Sequence, residues 1–359
     1  MKRTFAGTAA ALLAVVLFLP VNANAVSAKK AYALDTVSGR VLFERCANDQ
    51  SLIASTTKIM TALVVCEQCN VLDRMRIPKE AVGIEGSSMY LKEGEILTIQ
   101  ELLYGLMLSS GNDAAVALAI YGGGTVEGFV GLMNDKARNL GLKNTHFENP
   151  NGLDSPGHYS TARDLAVLAD YAMENPIFYK TVSAKTVTVG DRYLHNHNKL
   201  LWRVEGADGV KTGYTKAAGR ALVSSATRQG RRLIVTTLDA PSDWQDHQKL
   251  LEEGFARYTV QRLVNAGDQV GILEVAGGDT HQVELVAVED FDYALADGET
   301  WLLQLSGPGF VYAPAVEGAE AGFVHVLVEG KAVGKVPIVY GSTIEQVKDD
   351  KIPWYKRLS

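Results

Sequence analysis

Three short motifs along the chain carry residue types that can transfer an acyl group through a serine. In order, they are Ser55-Thr56-Thr57-Lys58, Ser110-Gly111-Asn112 and Lys211-Thr212-Gly213. Together they supply a nucleophilic hydroxyl, an amine to act as its base, a polar relay, and a cation whose hydroxyl neighbour suits it to hold a carboxylate. Each motif alone is weak evidence, because serine, glycine and asparagine are ordinary turn residues. Their combination and order predict a serine acyl enzyme.

The first motif differs from a chance S-x-x-K match. Residues three apart share one face of a helix, so the Ser55 hydroxyl and the Lys58 amine are expected to meet. The predicted helix, about residues 55–65, has almost no charge, and loss of hydration there favours the neutral amine that a base requires. The backbone N–H of Ser55 at the helix N-terminus suits a developing oxyanion. A second match, Ser27 to Lys30, is not followed by a buried helix.

The elements that must position these motifs alternate between helices and strands. Thr98 to Glu101 form a capping-box pattern that opens a helix reaching Leu108, and a second apolar helix follows over residues 113–121. The Ser-Gly-Asn motif therefore lies at a turn between two buried helices. Strand-like runs cover residues 32–35, 40–43, 220–227 and 232–239, and a further helix is predicted from Asp243 to about residue 258 with Ser242 as its cap. This pattern predicts an α+β fold, with helices packed on an antiparallel sheet.

The composition changes near Val264. From there to residue 340 short alternating runs replace the helical periodicity, with Gly and Asp turns between them. We therefore expect a catalytic domain over residues 26–262, a small all-β domain over residues 263–341 and a tail over residues 342–359. The tail mixes aromatic and basic residues around Trp354, which suits weak contact with a membrane surface.

The N-terminus has the pattern of a secretory signal peptide. Lys2 and Arg3 precede an apolar run over residues 5–19, and Ala23-Asn24-Ala25 follows with small residues at the cleavage spacing. We expect residues 1–25 to be removed and the rest of this 359-residue chain to be exported, outside the cytoplasmic membrane. A formal net charge of −6 gives no electrostatic reason to expect nucleic acid as a partner.

Cysteine and histidine pairs raise the question of a metal site. Cys66 and Cys69 have C-x-x-C spacing, but no second such pair or nearby histidine pair completes a zinc site, so we expect small, partly buried side chains. Cys46 makes the number of cysteines odd, so they cannot all pair within the chain. His195 and His197 alternate on an extended segment, with no third ligand evident nearby. We predict no metal and no organic cofactor.

His158 and Asp164 invite a Ser-His-Asp triad. Their spacing instead suits a loop followed by a helix start, with Ser160 or Thr161 as the cap and Asp164 in the first turn. We therefore expect both residues to have structural roles.

At these motifs the chain resembles the penicillin-recognising serine acyl enzymes. It is most similar to the low-molecular-weight penicillin-binding proteins, the D-alanyl-D-alanine carboxypeptidases. The resemblance spans most of the exported chain and includes residues 87–91, 109–113, 149–153, 158–164 and 208–214. It implies a β-lactamase/transpeptidase-like catalytic domain followed by that family's β-rich C-terminal domain. One departure is His197, which stands where some relatives carry an arginine, so a carboxylate-binding role is not carried over to this place.

The resemblance implies how the reaction would proceed. Ser55 attacks the carbonyl between two D-alanines, with Lys58 as general base. Ser110 and Lys211 pass the proton to the departing D-alanine amine. Water then releases the acyl-enzyme, leaving a peptidoglycan stem peptide that is shorter by one D-alanine.

The resemblance also implies which groups bind the substrate. Asn112 hydrogen-bonds the peptide backbone, and Lys211 with Thr212 binds the terminal carboxylate. Backbone N–H groups of Ser55 and Tyr214 form the oxyanion hole, and Gly213 lets the substrate lie close to the strand edge. β-Lactam antibiotics are implied as inhibitors that acylate the same serine.

Three other functions remain open from the sequence. A β-lactamase would need a group that clears the acyl-enzyme quickly, for which Glu148 is the one tempting residue, and the second domain argues against it. A penicillin-binding sensor or cell-wall scaffold would be acylated without turnover. A D,D-endopeptidase would differ only in what the cleft accepts beyond the scissile bond.

Overall fold

The computed structural model describes residues 26–347. The predicted signal peptide lies outside the described residues, and so do residues 348–359 of the predicted tail. The α-helices are α1 (Lys58–Gln68), α2 (Ile99–Leu108), α3 (Asn112–Gly123), α4 (Val126–Asn139), α5 (Ala162–Met173), α6 (Pro176–Ser183) and α7 (Asp243–Arg257). Short 3-10 helices span Ala54–Thr57, Lys79–Ala81 and Lys199–Trp202.

The strands fall into two groups along the chain. Those before α7 are β1 (Lys30–Asp35), β2 (Val41–Arg45), β3 (Arg74–Arg76), β4 (Ile96–Thr98), β5 (Thr186–Val189), β6 (Arg192–His195), β7 (Ala207–Thr215), β8 (Gly219–Arg228) and β9 (Arg231–Leu238). Those after α7 are β10 (Tyr258–Val264), β11 (Gln269–Ala276), β12 (Gln282–Ala287), β13 (Phe291–Ala296), β14 (Trp301–Ser306), β15 (Phe310–Tyr312), β16 (Glu320–Val328) and β17 (Lys331–Tyr340). The larger domain extends through α7, and the smaller domain contains β10 to β17.

The larger domain is a five-stranded antiparallel sheet between two helical layers. Its strand order is β2-β1-β9-β8-β7, so β7 forms one edge. Successive side chains in a strand face opposite sides of the sheet. In β8, Val223 contributes to the large core shared with α1 to α6, whereas Leu222 packs in the core under α7. The predicted α+β arrangement of helices on an antiparallel sheet is confirmed.

The starts of α2 and α7 show how local sequence sets the elements. Thr98 Oγ1 accepts a hydrogen bond from the Glu101 N–H at 3.1 Å, and the Glu101 carboxylate accepts one from the Thr98 N–H at 2.7 Å, so the predicted capping box is present. Ser242 was the expected cap of α7, but its side chain makes no capping hydrogen bond. Its backbone lies outside the extended conformation of a normal N-cap, and its N–H donates to Ser27 Oγ at 2.9 Å.

The smaller domain has its own core between β-strands. A six-stranded sheet runs in the order β14-β16-β17-β12-β11-β15, and β10 pairs with β13. The boundary expected between residues 262 and 263 falls inside β10, which starts at Tyr258. Ile344, expected in the tail, is buried in this core and forms a bridge to Ala315, so the packed chain continues beyond residue 341.

Arg40 joins the two domains through a partly buried ion pair and contacts with aromatic rings. Its guanidinium donates to both carboxylate oxygens of Glu299 at 2.6 Å and to the carbonyl of Ala294 at 2.7 Å. It also lies 4.5 Å from the ring centroid of Tyr258 and 5.3 Å from that of Tyr293. A bidentate arginine–carboxylate pair with aromatic packing fixes orientation as well as distance.

The most apolar helices lie inside the larger domain. Residues 112–119 of α3 are buried, and α3 packs against α1, α2 and α4. Within residues 26–347, no single helix is long and apolar enough to cross a bilayer. The pair α3 and α4 would pass by length and composition together, but the two are bent by 83°.

Candidate active site

The three sequence motifs meet at one cavity of about 350 Å³ on the larger domain. Residues from each of them line it: Ser55, Ser110, Thr212 and Gly213, with Tyr214 beside the last. The cavity lies where the 3-10 turn before α1, the α2–α3 turn and the edge strand β7 come together. Residues far apart in the sequence therefore share one solvent-accessible space.

Ser55 stands on a tight 3-10 turn just before α1. Ala54, immediately before it, has a φ of 48°, in the left-handed region that non-glycine residues rarely occupy. Two threonine hydroxyls hold the turn, because Thr56 Oγ1 donates to the Ile53 carbonyl at 2.6 Å and Thr57 Oγ1 to the Ala54 carbonyl at 2.8 Å. Strained backbone of this kind persists where the surroundings fix it, and here it presents the serine to the cavity.

Lys58 is completely buried and hydrogen-bonded at its amine. Nζ lies 2.9 Å from Ser55 Oγ, 2.7 Å from Asn112 Oδ1 and 2.6 Å from the Asn151 carbonyl. Burial holds the pKa of Lys58 well below its ordinary value, and the charge of nearby Lys211 lowers it further. The sequence expectation that Ser55 and Lys58 share a helical face holds across the junction between the 3-10 turn and α1.

The three partners of Lys58 decide what its neutral form can do. The Asn112 amide oxygen and the Asn151 carbonyl can only accept hydrogen bonds, whereas the Ser55 hydroxyl can also donate. A neutral amine has two N–H bonds and one lone pair. Its two N–H groups therefore satisfy Asn112 and Asn151, and its lone pair is left for the Ser55 proton. This arrangement orients Lys58 as a base toward Ser55.

The loop at residues 149–153 supplies one of these partners and supports the serine turn. The Asn149 amide oxygen accepts from the Gly152 N–H at 2.7 Å, which folds the loop. Gly152 has a φ of 85°, and a Cβ there would lie 2.0 Å from the Ala54 carbonyl oxygen. The Asn151 carbonyl was missed as a site group by sequence reasoning, although the Asn-Pro-Asn-Gly turn was noted in the resemblance.

Gly152→Ala should disturb both the fold and the nucleophile. The added methyl must displace the Ala54 carbonyl next to Ser55 and also forces alanine into a left-handed conformation. We expect the free energy of unfolding to fall by about 3 kcal/mol or more and acylation by penicillin to slow. Urea unfolding and labelling rates measure the two effects.

Gly190→Ala is the matched control for that substitution. Gly190 also has a positive φ, 58°, but nothing lies within 4 Å of its added Cβ. Gly190→Ala should lower the free energy of unfolding only by the cost of a left-handed alanine, about 1–2 kcal/mol, and should leave the rate of penicillin labelling unchanged. Equal effects of the two variants would show that the contact with Ala54 is not what constrains the serine turn.

Ser110 lies on the turn between α2 and α3. Its φ is 59°, it is 5% exposed, and it faces the same cavity as Ser55. The turn is held because the Gly111 N–H donates to the Gly105 carbonyl at 3.0 Å and the Asn112 N–H to the Ser87 carbonyl at 2.7 Å. The expected break between two buried helices is present at this position.

Both polar atoms of the Asn112 side chain form hydrogen bonds within the protein, although its expected role is to bind the substrate. Its amide oxygen accepts from Lys58, and its Nδ2 donates to the Glu85 carbonyl at 2.5 Å. It is 4% exposed. One amide N–H is left for a substrate, so Asn112 first of all positions the Lys58 amine.

Asp113 anchors one wall of the cavity. Its carboxylate accepts hydrogen bonds from the Ser88 hydroxyl at 2.6 Å, the Met89 N–H at 3.1 Å and the Leu91 N–H at 3.0 Å. These bonds fix the loop that places Ser87 in the cavity lining. Sequence reasoning did not assign this role to Asp113, because the partners lie more than twenty residues away in the chain.

Lys211 is buried in β7 and lies next to the cavity lining without being part of it. It is 1% exposed, its Nζ donates to the Thr212 carbonyl at 2.8 Å, and burial lowers its pKa to about 7. By strand alternation it shares a face with Gly213, whose added Cβ would lie 3.1 Å from the Ser55 N. Gly213 therefore also allows β7 to pack directly on the serine turn, beyond its expected role toward the substrate.

His158 and Asp164 have the structural roles that their spacing predicts. His158 is 1% exposed; its Nδ1 accepts from the Glu148 N–H at 3.1 Å, and its Nε2 lies 2.7 Å from Thr57 Oγ1. Because the Thr57 hydroxyl already donates to the Ala54 carbonyl, the Nε2–H donates to Thr57, and the ring braces the serine turn. Burial lowers the pKa of His158 to about 4. Thr161 caps α5 by accepting from the Asp164 N–H at 3.0 Å.

The cysteine and histidine pairs do not assemble into metal sites in the part of the chain that the structure describes. His195 stacks on Trp202, with ring centroids 4.7 Å apart, whereas His197 lines the cavity. Cys66 is buried, and burial raises the pKa of its thiol to about 12. Cys69 also has a raised pKa, chiefly through burial.

Comparison with known proteins places this architecture in a family. Residues 19–242 match the family model described as D-alanyl-D-alanine carboxypeptidase. The chain belongs to this family. Residues 258–346 match the model of the C-terminal domain of penicillin-binding protein 5. The matched segment starts at Tyr258, the first residue of β10.

Individual members of the family cover most of the chain. The D-alanyl-D-alanine carboxypeptidase DacC of Escherichia coli is 34% identical over 95% of this chain and 92% of its own. The D-alanyl-D-alanine carboxypeptidase of Streptomyces sp. strain K15 is 40% identical over 70% of this chain and 94% of its own. The crystal structure of penicillin-binding protein 5 from Haemophilus influenzae superposes with a TM-score of 0.78 at 31% identity, covering 89% of this chain and 98% of that one.

Proposed function

We propose that this chain is a serine-type D-Ala-D-Ala carboxypeptidase that removes the terminal D-alanine from peptidoglycan stem pentapeptides. The hydrogen-bond network of Lys58 carries the proposal, because it leaves the amine's lone pair for the Ser55 hydroxyl. Membership of the carboxypeptidase family supports the substrate class.

Acylation begins with the proton of Ser55. Lys58 takes it as Ser55 Oγ attacks the carbonyl between the two D-alanines. The tetrahedral oxyanion is assigned to the N–H groups of Ser55 and Tyr214, which line one cavity and are brought together by the contact of Gly213 with the serine turn. Groups already fixed in place stabilise this charge without reorganising.

Release of the first product needs a proton on the departing amine. We assign this transfer to Ser110, at the cavity surface, with Lys211 as the buried charge behind it. Thr212 receives the terminal carboxylate, and the spare N–H of Asn112 the peptide backbone. Water then hydrolyses the ester on Ser55, and the shortened stem peptide leaves.

Partners and location follow from this activity. β-Lactams are proposed to acylate Ser55 in place of the stem peptide, as the penicillin-binding relatives suggest. The substrate lies outside the cytoplasm, which agrees with the proposed cleavage of residues 1–25 and export. Weak contact of residues 348–359 with the membrane surface remains part of the proposal, on their composition alone.

The alternative functions have less support. Glu148, the candidate for rapid deacylation in a β-lactamase, is exposed and accepts from the Ser155 hydroxyl and from the Gly157 N–H at 3.2 Å. It does not line the cavity. A sensor or scaffold that is acylated would need the same base, so membership of the carboxypeptidase family is what favours the enzyme over it.

The test is D-alanine release by the mature chain from a stem pentapeptide ending in D-Ala-D-Ala, followed together with penicillin turnover. We expect steady D-alanine release and slow loss of bound penicillin. Penicillin labelling without D-alanine release would favour a sensor, and fast penicillin hydrolysis a β-lactamase. Cleavage only of cross-linked peptides would favour the endopeptidase.

The pH dependence of kcat/KM should be bell-shaped. Lys58 must be neutral to act as a base, so the rate rises as pH increases through its lowered pKa. Lys211 acts as a cation, so the rate falls as pH increases past its pKa of about 7. Lys211→Arg keeps its charge at all these pH values and should move the basic limb upward by more than about 2 pH units. An unmoved limb would assign it to another group, and Lys199→Arg serves as the control.

A further inference from the structure

Ser87 reaches the cavity on a loop, residues 85–91, that we call the Ser87 loop. The start of α3 holds one end of it, because Asn112 Nδ2 donates to the Glu85 carbonyl at 2.5 Å and the Asn112 N–H donates to the Ser87 carbonyl at 2.7 Å. The Asn112 amide oxygen accepts from the Lys58 amine at 2.7 Å. The position of the Ser87 loop is therefore coupled to the residue that orients the proposed base.

Tyr90 gives the Ser87 loop a strained backbone. Its φ is 61°, in the left-handed region that non-glycine residues rarely occupy, and its side chain is 80% exposed, so packing of the ring does not enforce this conformation. Main-chain hydrogen bonds enforce it instead. The Tyr90 N–H donates to Ser88 Oγ at 2.8 Å, and the Tyr90 carbonyl accepts from Arg192 Nη2 at 2.9 Å. Backbone strain of this kind persists only where the surroundings fix it.

Arg192 is itself firmly anchored. It begins β6, and the hairpin of β5 and β6 packs on α2. Its guanidinium donates to both carboxylate oxygens of Glu95, at 2.6 and 2.7 Å, and the two side chains are only 14% and 21% exposed. A bidentate pair fixes the direction of the guanidinium as well as its distance. Arg192 therefore presents a fixed donor to the Tyr90 carbonyl.

We propose that Arg192 is a positioning residue for acylation, which holds the Ser87 loop against Asn112 through the Tyr90 carbonyl. Without this donor the Tyr90 peptide can rotate back to an ordinary conformation, and the loop carbonyls that Asn112 binds are displaced with it. Asn112 then holds the Lys58 amine less firmly toward Ser55. The inference rests on the proposed function and adds to it a residue that acts through the loop.

The other anchor of the Ser87 loop cannot replace Arg192. Asp113 accepts hydrogen bonds from three donors of the loop, one hydroxyl and two main-chain N–H groups. An ionised carboxylate has no hydrogen to donate, so it cannot bind a carbonyl. The orientation of the Tyr90 carbonyl therefore depends on Arg192.

The test measures acylation of Ser55 by penicillin, both as its limiting rate and as its half-saturating concentration. In Arg192→Gln the limiting rate should fall by about 3- to 30-fold, the range typical of residues that act through a network, while the half-saturating concentration changes by less than about threefold. A fall in rate without a matching change in binding is expected because the variant disturbs the base and leaves the cavity lining intact. The kcat/KM for D-alanine release should fall by the same factor.

Arg228 provides a matched control. It also donates to both oxygens of one carboxylate, that of Glu252 at 3.0 and 2.8 Å, and to one carbonyl, that of Glu205 at 3.1 Å, and its side chain is 20% exposed. Arg228→Gln should lower the free energy of unfolding in urea about as much as Arg192→Gln does, but should leave acylation within about twofold of the parent. Equal slowing by the two variants, at a temperature where both are folded, would overturn the inference.

A second variant tests the strain at Tyr90 directly. Asparagine occupies the left-handed region more readily than tyrosine, so Tyr90→Asn should make the Ser87 loop depend less on Arg192. Tyr90→Asn alone should acylate within about twofold of the parent, because the ring that it removes is exposed. Combined with Arg192→Gln, it should recover most of the lost rate. A slow Arg192→Gln that Tyr90→Asn does not rescue would contradict a role through the Tyr90 carbonyl.

The outcomes separate this inference from the proposed function. A parent enzyme that releases D-alanine, with Arg192→Gln equally fast, overturns the role of Arg192 and leaves the carboxypeptidase standing. A parent that is labelled by penicillin but releases no D-alanine overturns the carboxypeptidase, and the labelling rates of the variants still decide the role of Arg192. A parent that is not labelled overturns both.

Discussion

Ser55→Ala should abolish D-alanine release and covalent labelling by penicillin together. No other hydroxyl in the cavity has a buried amine directed at it, so removing Oγ removes the bond-forming atom. We expect a loss of about 10⁴-fold or more in turnover, of the size seen when a nucleophile is deleted from a covalent enzyme. Intact-mass measurement after exposure to penicillin gives the labelled fraction.

The chain contains its own control for this variant. Ser27 belongs to the second S-x-x-K match, but its hydroxyl donates to the Asp246 carboxylate at 2.6 Å. Lys30, the lysine of that match, donates to the Gln50 carbonyl at 2.8 Å. Ser27→Ala should therefore keep labelling and D-alanine release within about twofold of the parent. Residual labelling of Ser55→Ala would place the nucleophile elsewhere.

Lys58→Met should slow acylation by about 10³- to 10⁴-fold while Ser55 remains in place, because general-base catalysis contributes up to about that much. Methionine fills similar space but leaves the Asn112 amide oxygen and the Asn151 carbonyl without their donor. The second-order rate of penicillin labelling, measured at several pH values, is the readout. The acid limb of the pH profile should disappear together with the base.

Lys58→Arg distinguishes a base from a buried charge. A guanidinium stays protonated at every accessible pH, so it cannot accept the Ser55 proton. We expect this variant to be as slow as Lys58→Met. Near-normal labelling by Lys58→Arg would mean that Lys58 acts only through its charge and that another group takes the proton.

The sequence contained the local parts of this site but not the long-range ones. Ser55 and Lys58 are three residues apart, so helix geometry alone predicts that they meet. The Thr98 capping box and the α2–α3 break were predictable for the same reason. The third partner of Lys58 is a main-chain carbonyl 93 residues away, and no side-chain pattern marks a carbonyl.

Arg220 and Asp243 were missed for a related reason. Each was assigned to an ordinary element, Arg220 to a strand and Asp243 to a helix start, and only the sheet order places them at the cavity. Ser242 shows the opposite error, because a suitable residue at a suitable position does not cap α7 when its backbone departs from the extended conformation of a normal N-cap. The fold class and the division into two domains were easier, because periodicity averages over many residues.

The place of β7 in its sheet limits what the enzyme can digest. Within residues 26–347, β7 is an edge strand, so main-chain groups along Lys211 to Tyr214 have no neighbouring strand on their outer side. An unpaired strand edge can form main-chain hydrogen bonds with any extended chain, so it can promote aggregation with other proteins. Here the edge borders the cavity, whose lining also includes Ser87 and Lys199. An extended peptide end can pair with this edge beside Ser55, whereas the strands of a folded protein are already paired within it. We therefore expect this edge to restrict the enzyme to free, extended peptide ends and to leave folded proteins undigested.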